Sequence, residues 1–178
     1  MRIILTHHFF TDPKRCPAVT FEEFLEQSIH RMSPSKLSKS FGRGDESSPL
    51  YERSWQMEWY RASTIVVPEK ESVSADVGPI FGSAGFLDFY VNGSCCWGIE
   101  LTREGSLLKQ HAERFENGGI YDKIPLNCWV VIDFRHHSKC VREKKPNFWY
   151  ALYADNYRQI TIIREGHDDK VLILYGDE

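Results

Sequence analysis

Two apolar runs near the middle of the chain are separated by a short polar turn, and this pattern predicts a β-hairpin. Residues 85–103 read GFLDFYVNGSCCWGIELTR, in which Asn92-Gly93 is a turn signal. Each run carries one acid, Asp88 in FLDFYV and Glu100 in WGIEL. An ionised carboxylate buried among apolar groups is costly unless it is paired or binds a metal. Two such acids on neighbouring strands therefore indicate a functional site.

The pairing register of this hairpin decides whether the two acids share a face of the sheet. A two-residue turn at Asn92-Gly93, the commoner form of this turn, would point Asp88 away from Glu100. A three-residue connection with a glycine bulge would place Asp88 opposite Gly98, with Glu100 as its diagonal neighbour on the same face. Gly98 favours the odd-numbered connection, because a residue without a side chain opens space between the acids. The site hypothesis requires that connection.

Two helices are predicted before the hairpin, one over residues 21–32 and one over residues 50–65. The first is supported by apolar residues at helical spacing and by a capping box between Thr20 and Glu23. Residues 31–44 contain Ser, Pro, Gly and four basic residues without an acid. This composition predicts either a flexible loop or a basic arm that contacts phosphates.

Glu58 interrupts the aromatic stripe of the second predicted helix, where it follows Tyr51 and Trp55 at helical spacing. Two interpretations stay open for this acid. It pairs with an arginine at the edge of the core, or it faces the acids of the hairpin.

A third helix is predicted from about residue 106 to Gly118-Gly119, with His111 on its apolar side. A histidine on such a face is more often a hydrogen-bonded core residue than a catalytic one. The run CWVVIDF predicts a central strand covered on both faces. Asp133, near its end, is either a third site acid or a helix-capping residue. Further strands are predicted over residues 2–5, 148–153, 159–164 and 171–175.

Composition predicts one globular domain, since the 178 residues are 42% hydrophobic and 13% aromatic. No apolar run approaches the length of about 18 residues that a membrane span needs, and the first ten residues turn polar too quickly for a secretory signal. Five cysteines, with Cys95-Cys96 adjacent, favour free thiols in a reducing compartment. The net charge of −3 argues against a generic polyanion binder, so contacts with nucleic acid would come from local patches.

The acids follow an order that suits a metal-dependent nuclease: Glu58 on a helix, Asp88 on a strand, and Glu100 on the next strand with a helix after it. A hard divalent cation takes oxygen ligands, and Mg²⁺ uses one or two carboxylates together with waters and substrate phosphate. This order resembles the PD-(D/E)XK nuclease superfamily. A narrower similarity, to the nuclease-like C-terminal domains of Crinkler effector proteins of oomycetes and fungi, covers roughly residues 50–164. The stretches that carry it are WQMEWYRA, FGSAGFLDFYVNGSCCWGIELTREG, LLKQHAERFENGGIY, WVVIDFR and NFWYALYADNYRQITII.

The resemblance implies a restriction-endonuclease-like fold, which is an α/β arrangement of a mixed β-sheet flanked by helices. That domain would span residues 50–178, after an N-terminal helix and basic flexible arm at residues 1–49. Asp88 and Glu100 would bind Mg²⁺ or Mn²⁺, and Glu58 would be the acid of the helix. The expected partner is nucleic acid, with DNA favoured over RNA, and fusion to or partnership with an ATPase module is implied. The compartment would be the cytoplasm or nucleus, in a host cell if the chain is an effector.

The superfamily pattern expects a lysine two residues beyond the second acid, where this chain has Thr102. Lys109 or Arg103 would then supply the positive charge, although arginine cannot act as a base. Gln110 and His111 would hydrogen-bond to substrate or to a metal-bound water.

Two alternatives to a nuclease stay open from the sequence. The first is an inactive module that binds nucleic acid or protein. The second is a structural domain in which Asp88 and Glu100 pair with Arg61 or Arg114.

Overall fold

The computed structural model describes residues 18, 20–40 and 52–177. In this part of the chain the helices are α1 (Phe21–His30), α2 (Pro34–Leu37), α3 (Glu52–Val66) and α4 (Leu108–Glu113), with a 3-10 turn at Pro79–Phe81. The strands are β1 (Val73–Val77), β2 (Leu87–Val91), β3 (Trp97–Arg103), β4 (Cys128–His136), β5 (Phe148–Tyr153), β6 (Gln159–Ile163) and β7 (Lys170–Ile173). The strand predicted over residues 2–5 lies outside the described residues.

The seven strands form one mixed sheet whose spatial order is the same as their order in the chain. Strands β1, β2 and β3 pair antiparallel, β3, β4 and β5 pair parallel, and β5, β6 and β7 pair antiparallel. Parallel neighbours need a crossover connection, and the crossover from β3 to β4 contains α4. The expectation of a mixed α and β fold around a mixed sheet is confirmed.

The sheet is covered on both faces, and the larger cluster of buried apolar side chains lies between the sheet and helices α1 and α3. Trp59 of α3 packs edge-on against Phe24 of α1 and tilted against Phe89 of β2. Along β4, Val130 and Ile132 pack in this cluster, whereas the residue between them packs on the opposite face. Residues 130–135 are all buried, which confirms the prediction of a central strand.

The capping box predicted for α1 is present, because the Thr20 hydroxyl accepts from the Glu23 N–H and the Glu23 carboxylate accepts from the Thr20 N–H. The helix packs on α3 within the larger core cluster. It also contacts the last strand, where Nδ1 of His30 lies 2.6 Å from the carbonyl oxygen of Ile173. Helix α1, which was predicted as part of the N-terminal segment at residues 1–49, therefore packs with α3 in the larger core cluster.

Residues 31–40 adopt a packed conformation that differs from the expected flexible loop. They contain α2, whose N-terminus is capped by the Ser33 side chain. Four of their side chains are buried, those of Met32, Ser33, Leu37 and Ser40. The serines that suggested a loop instead satisfy buried polar groups; the Ser40 hydroxyl, for example, accepts from Nε1 of Trp55 at 3.0 Å.

Helix α4 is shorter than predicted and ends near Glu113, well before Gly118-Gly119. It begins after Leu107, which has left-handed backbone dihedrals. Beyond the helix the chain turns back, and the N–H of Tyr121 donates to the carbonyl oxygen of Arg114 at 2.9 Å. The turn replaces the predicted last helical turns and brings Tyr121 beside the end of α4.

Four cysteines lie in the described part of the chain, and all of them are free thiols: Cys95, Cys96, Cys128 and Cys140. None of the helices described here is long and apolar enough to cross a membrane.

Substitution of Trp59 by alanine should lower the free energy of unfolding by about 3–5 kcal/mol, because it removes a fully buried indole from the larger core cluster. The control is Met57→Ala on the same helix, whose side chain is exposed and whose loss should change stability by no more than about 0.5 kcal/mol. Urea denaturation measures both. Equal effects of the two substitutions would contradict this account of the core.

Candidate functional site

The hairpin formed by β2 and β3 has an odd-numbered connection, as the site hypothesis required, but it contains five residues. Tyr90 pairs with Gly98 and Phe89 with Ile99. The ladder ends at this pair, and Asp88 follows Phe89 with its carboxylate on the backbone N–H of Leu101, the residue after Glu100. The predicted pairing of Asp88 with Gly98 is therefore wrong by two residues.

Contacts with residues distant in sequence hold this longer connection. The carboxylate of Glu71 accepts from both the N–H and the hydroxyl of Ser94, at 3.1 and 2.9 Å. The side-chain amide of Asn127 donates to the carbonyl oxygens of Ser94 and Cys95. These partners stabilise an open loop where local turn preference favours a tight one.

Gly98 has a role different from the expected one of opening space between the acids. A Cβ atom added at this residue would lie 2.8 Å from Cδ2 of Leu126 and 3.3 Å from Cδ2 of Leu87. The missing side chain thus lets these two leucines pack on the sheet.

Asp88 is a largely buried carboxyl with two neutral hydrogen-bond donors. One oxygen accepts from the backbone N–H of Leu101 at 2.8 Å, and the other accepts from Nε2 of Gln56 in α3 at 3.2 Å. Side-chain alternation along β2 is broken here, because Leu87 packs with Tyr90 on the face of Gly98 and Glu100. The Asp88 carboxylate reaches α3, whereas the Glu100 carboxylate contacts α4 and Tyr121. Burial, followed by the charge of Glu100, raises the pKa of Asp88 to about 7, although the Leu101 N–H opposes the shift.

Glu100 is fully buried, and charged or polar side chains surround its carboxylate. Oε1 lies 2.9 Å from Nδ1 of His111 and accepts from a guanidinium N–H of Arg114. Oε2 accepts from the hydroxyl of Tyr121 at 3.0 Å. Burial alone would lower the pKa of Arg114, but the charge of Glu100 raises it above its usual range. When both acids are ionised, this one arginine leaves the pair with a net negative charge.

Glu58, the expected acid of the helix, lies in a separate ion pair. Its carboxylate accepts from Nε and Nη2 of Arg61 and from the backbone N–H of Ser33. Its contacts within the described residues include neither Asp88 nor Glu100. Of the two interpretations of Glu58, the structure shows the pairing with an arginine, and Gln56 is the residue of α3 that contacts Asp88.

Thr102 and Asp133 lie side by side on β3 and β4 and have structural partners. The Thr102 hydroxyl donates to the carbonyl oxygen of Ser106 at 2.9 Å, across the tight turn before α4. The buried carboxylate of Asp133 accepts from the N–H of Gly105 and from the Arg135 guanidinium. Asp133 is thus a buried ion-pair residue of the strand.

The two cations expected to replace the superfamily lysine point to other acids. Arg103 has Nε 3.7 Å from a carboxylate oxygen of Glu52. Lys109 is largely exposed and pairs with Glu113 one turn further along α4. Gln110 is exposed on the same helix. Of the three site residues predicted on this helix, His111 contacts Glu100, whereas Lys109 and Gln110 lie at the surface.

Sequence reasoning missed Gln56 and Tyr121, and it considered Arg114 only as a structural ion-pair partner. A signal for Arg114 exists, because it follows His111 by three residues and such pairs share a face of a helix. Tyr121 gave no comparable signal, since it reaches the site through a turn.

A cleft with a volume of about 510 Å³ includes Phe86, two residues before Asp88, but its lining contains neither Asp88 nor Glu100. Its lining includes the aromatic side chains of Phe81, Phe86 and Tyr90. The Tyr121 hydroxyl, which contacts Glu100, also lies 2.6 Å from the carbonyl oxygen of Phe86, so its single proton is shared between the two acceptors. Phe86 and the neighbouring Ile80 are both exposed.

The donor set of Asp88 and Glu100 fits a hard divalent cation, which prefers carboxylate oxygens. A cation between the acids would favour the ionised form of Asp88, which burial and Glu100 now disfavour. It would also compete with Arg114 for Glu100. The side chain of Arg114 is 36% exposed, so the guanidinium has room to leave that carboxylate.

No family model matches the sequence, no curated protein matches it, and no solved structure matches the chain.

The substitution Asp88→Asn should stabilise the chain by an amount that grows from about pH 4 to about pH 7 and then levels off. Since the raised pKa lets the folded chain hold a proton that the unfolded chain has already released, the wild type loses stability as the pH rises through this window. Urea denaturation at a series of pH values measures the difference. Asp122→Asn, at an exposed aspartate, is the control and should show no such growth. A difference for Asp88→Asn that stays constant with pH would contradict the raised pKa.

Proposed function

We propose that this chain is a divalent-metal-dependent nuclease-like protein that acts on nucleic-acid phosphodiesters, with Asp88 and Glu100 as its metal ligands. The observation that carries the proposal is the proximity of these two acids on adjacent strands, where burial and then the charge of Glu100 raise the pKa of Asp88 to about 7. The proposal includes the restriction-endonuclease-like form of the mixed sheet and the similarity to Crinkler domains. The preferred cation is Mg²⁺ or Mn²⁺.

In this proposal the side chains around Glu100 have two roles. Some orient its carboxylate toward the metal, and one compensates the negative charge of the phosphate. A bound Mg²⁺ would activate a water and stabilise charge on the phosphate. His111 and Tyr121 hold the Glu100 carboxylate in one orientation through its two oxygens. Arg114 lies against Glu100 and would supply the positive charge that the superfamily lysine supplies and Thr102 cannot. Its guanidinium can bind a phosphate through two N–H groups.

The aromatic cleft supports a nucleic-acid substrate for the proposed site. Exposed aromatic rings such as Phe86 provide surfaces on which unpaired bases stack, at about 1–3 kcal/mol per base. The proposal places a base on Phe86, at the part of the cleft that is linked to Glu100 through the Tyr121 hydroxyl. The sequence favours DNA over RNA, and this preference stays a prediction, as do the ATPase partner and the cellular compartment.

The test is cleavage of single- and double-stranded DNA and RNA by the purified chain with Mg²⁺, with Mn²⁺ and with EDTA. We expect cleavage with either metal and none with EDTA. Asp88→Asn and Glu100→Gln should each lower the rate by at least 100-fold, whereas Glu113→Gln, at an exposed acid of α4, should not change it. Thermal unfolding checks that the variants are folded. Metal-independent cleavage, or equal rates for folded variants and wild type, would contradict the proposal.

The second candidate function is a catalytically inactive module that binds nucleic acid or protein. It is favoured by the surroundings of Glu100, which is buried and already has Arg114 as its counter-ion. The hydroxyl of Thr102 is also directed away from the acids, to a backbone carbonyl oxygen. This candidate predicts no cleavage under any condition. It also predicts salt-sensitive DNA binding that persists in Asp88→Asn and Glu100→Gln, because phosphate contacts away from the acids would carry the affinity.

A further inference from the structure

The far end of β4 and the turn between β5 and β6 bring together two histidines and an aspartate. Nε2 of His136 lies 2.6 Å from Oδ1 of Asp155, and Nε2 of His137 lies 3.4 Å from the same oxygen. One ligand atom from each residue lies within 4.8 Å of the other two. We propose that His136, His137 and Asp155 bind a borderline divalent transition metal of the zinc class.

The separations suit such an ion. Ligands about 2.0–2.1 Å from a tetrahedral Zn²⁺ are roughly 3.3 Å from one another. The contact of His137 with Asp155 already has that separation, and the shorter contact of His136 is a hydrogen bond that the ion would replace. Asp155 is 81% exposed, so solvent can complete the coordination shell.

The surrounding structure holds His136 in position. Its backbone pairs with Tyr153 in the parallel ladder of β4 and β5, and its ring packs edge-on against the ring of Tyr153. Nδ1 of His136 lies 2.7 Å from the hydroxyl oxygen of Ser138. Metal binding through Nε2 requires the ring proton on Nδ1, where the Ser138 hydroxyl oxygen would accept it and orient the ring.

Backbone hydrogen bonds restrain the other two residues. The N–H of His137 donates to the carbonyl oxygen of Tyr153 at 3.0 Å, which extends the ladder beyond β4. Asp155 lies in a tight turn closed by the N–H of Tyr157, which donates to the carbonyl oxygen of Ala154. Because both segments are restrained, the ligand atoms need little rearrangement to bind an ion.

The donor set determines which metal is expected. Two imidazole nitrogens and one carboxylate favour Zn²⁺, Ni²⁺ or Cu²⁺ over Mg²⁺, which prefers oxygen ligands alone. The site shares no residue with Asp88 and Glu100, so the inference is independent of the proposed function.

The test is isothermal titration of the full, metal-stripped chain with ZnCl₂ at pH 7.5, in the presence of 5 mM MgCl₂. We expect one saturable site that Mg²⁺ does not block. The double substitution His136→Ala/His137→Ala should weaken zinc binding at least 100-fold and Asp155→Asn at least 10-fold. His167→Ala, at an exposed histidine in the loop between β6 and β7, is the matched control and should bind zinc like the wild type.

Absence of saturable zinc binding by the wild type would overturn the inference, and so would unchanged affinity in the double variant. The double variant retains Cys140 and the His7-His8 pair, so zinc held by those groups would persist in it. Circular dichroism checks that the variants are folded, since His137 and Asp155 are exposed and His136 is half-buried against Tyr153. With Co²⁺ in place of zinc, visible absorption should appear in the wild type and disappear in the double variant.

Discussion

Asp88 and Glu100 carry buried or largely buried carboxylates on neighbouring strands. The positive charge around them is too small to neutralise both when both are ionised. Asp88 is held by neutral donors, and Glu100 has one arginine as its counter-ion. Burial first, and then the charge of Glu100, disfavour the ionised form of Asp88 and raise its pKa. A fold retains an arrangement of this kind only if packing elsewhere offsets it, and a cation between the acids would relieve it. The proposed metal site follows from this constraint.

The architecture around the acids depends on three connections. The five-residue connection between β2 and β3 sets the register in which Phe89 pairs with Ile99, and the two acids follow directly after this pair. The crossover from β3 to β4 places α4 over the sheet, and His111 and Arg114 extend from α4 to Glu100. The turn after α4 returns the chain so that Tyr121 contacts the second oxygen of Glu100. Each connection is held by backbone or side-chain hydrogen bonds, which restrains the site.

Local patterns in the sequence predicted much of this fold. The two apolar runs, the capping box at Thr20, the central strand and the strands that follow are where periodicity and propensity place them. His111 was expected to make a hydrogen bond on an apolar face, and it does so with Glu100. These features succeed because they depend on residues that are close together in sequence.

The errors arise where distant residues decide the structure. Glu71 and Asn127 hold the hairpin connection open, and neither belongs to the local turn signal. The partners of Glu58 include Ser33, 25 residues earlier, so its ion pair could not be distinguished from a site acid by spacing. Tyr121 reaches Glu100 through a turn that helical periodicity does not describe.

The central claim is that Asp88 and Glu100 form a cation site, and the ionisation of Asp88 tests it most directly. Carbon-13 NMR of the Asp88 carboxyl, recorded over a pH series, follows that ionisation with and without Mg²⁺. The account predicts a titration near pH 7 without the metal and a shift to lower pH when Mg²⁺ is added. A titration near the ordinary aspartate value of about 3.9, or one that Mg²⁺ leaves unchanged, would contradict it.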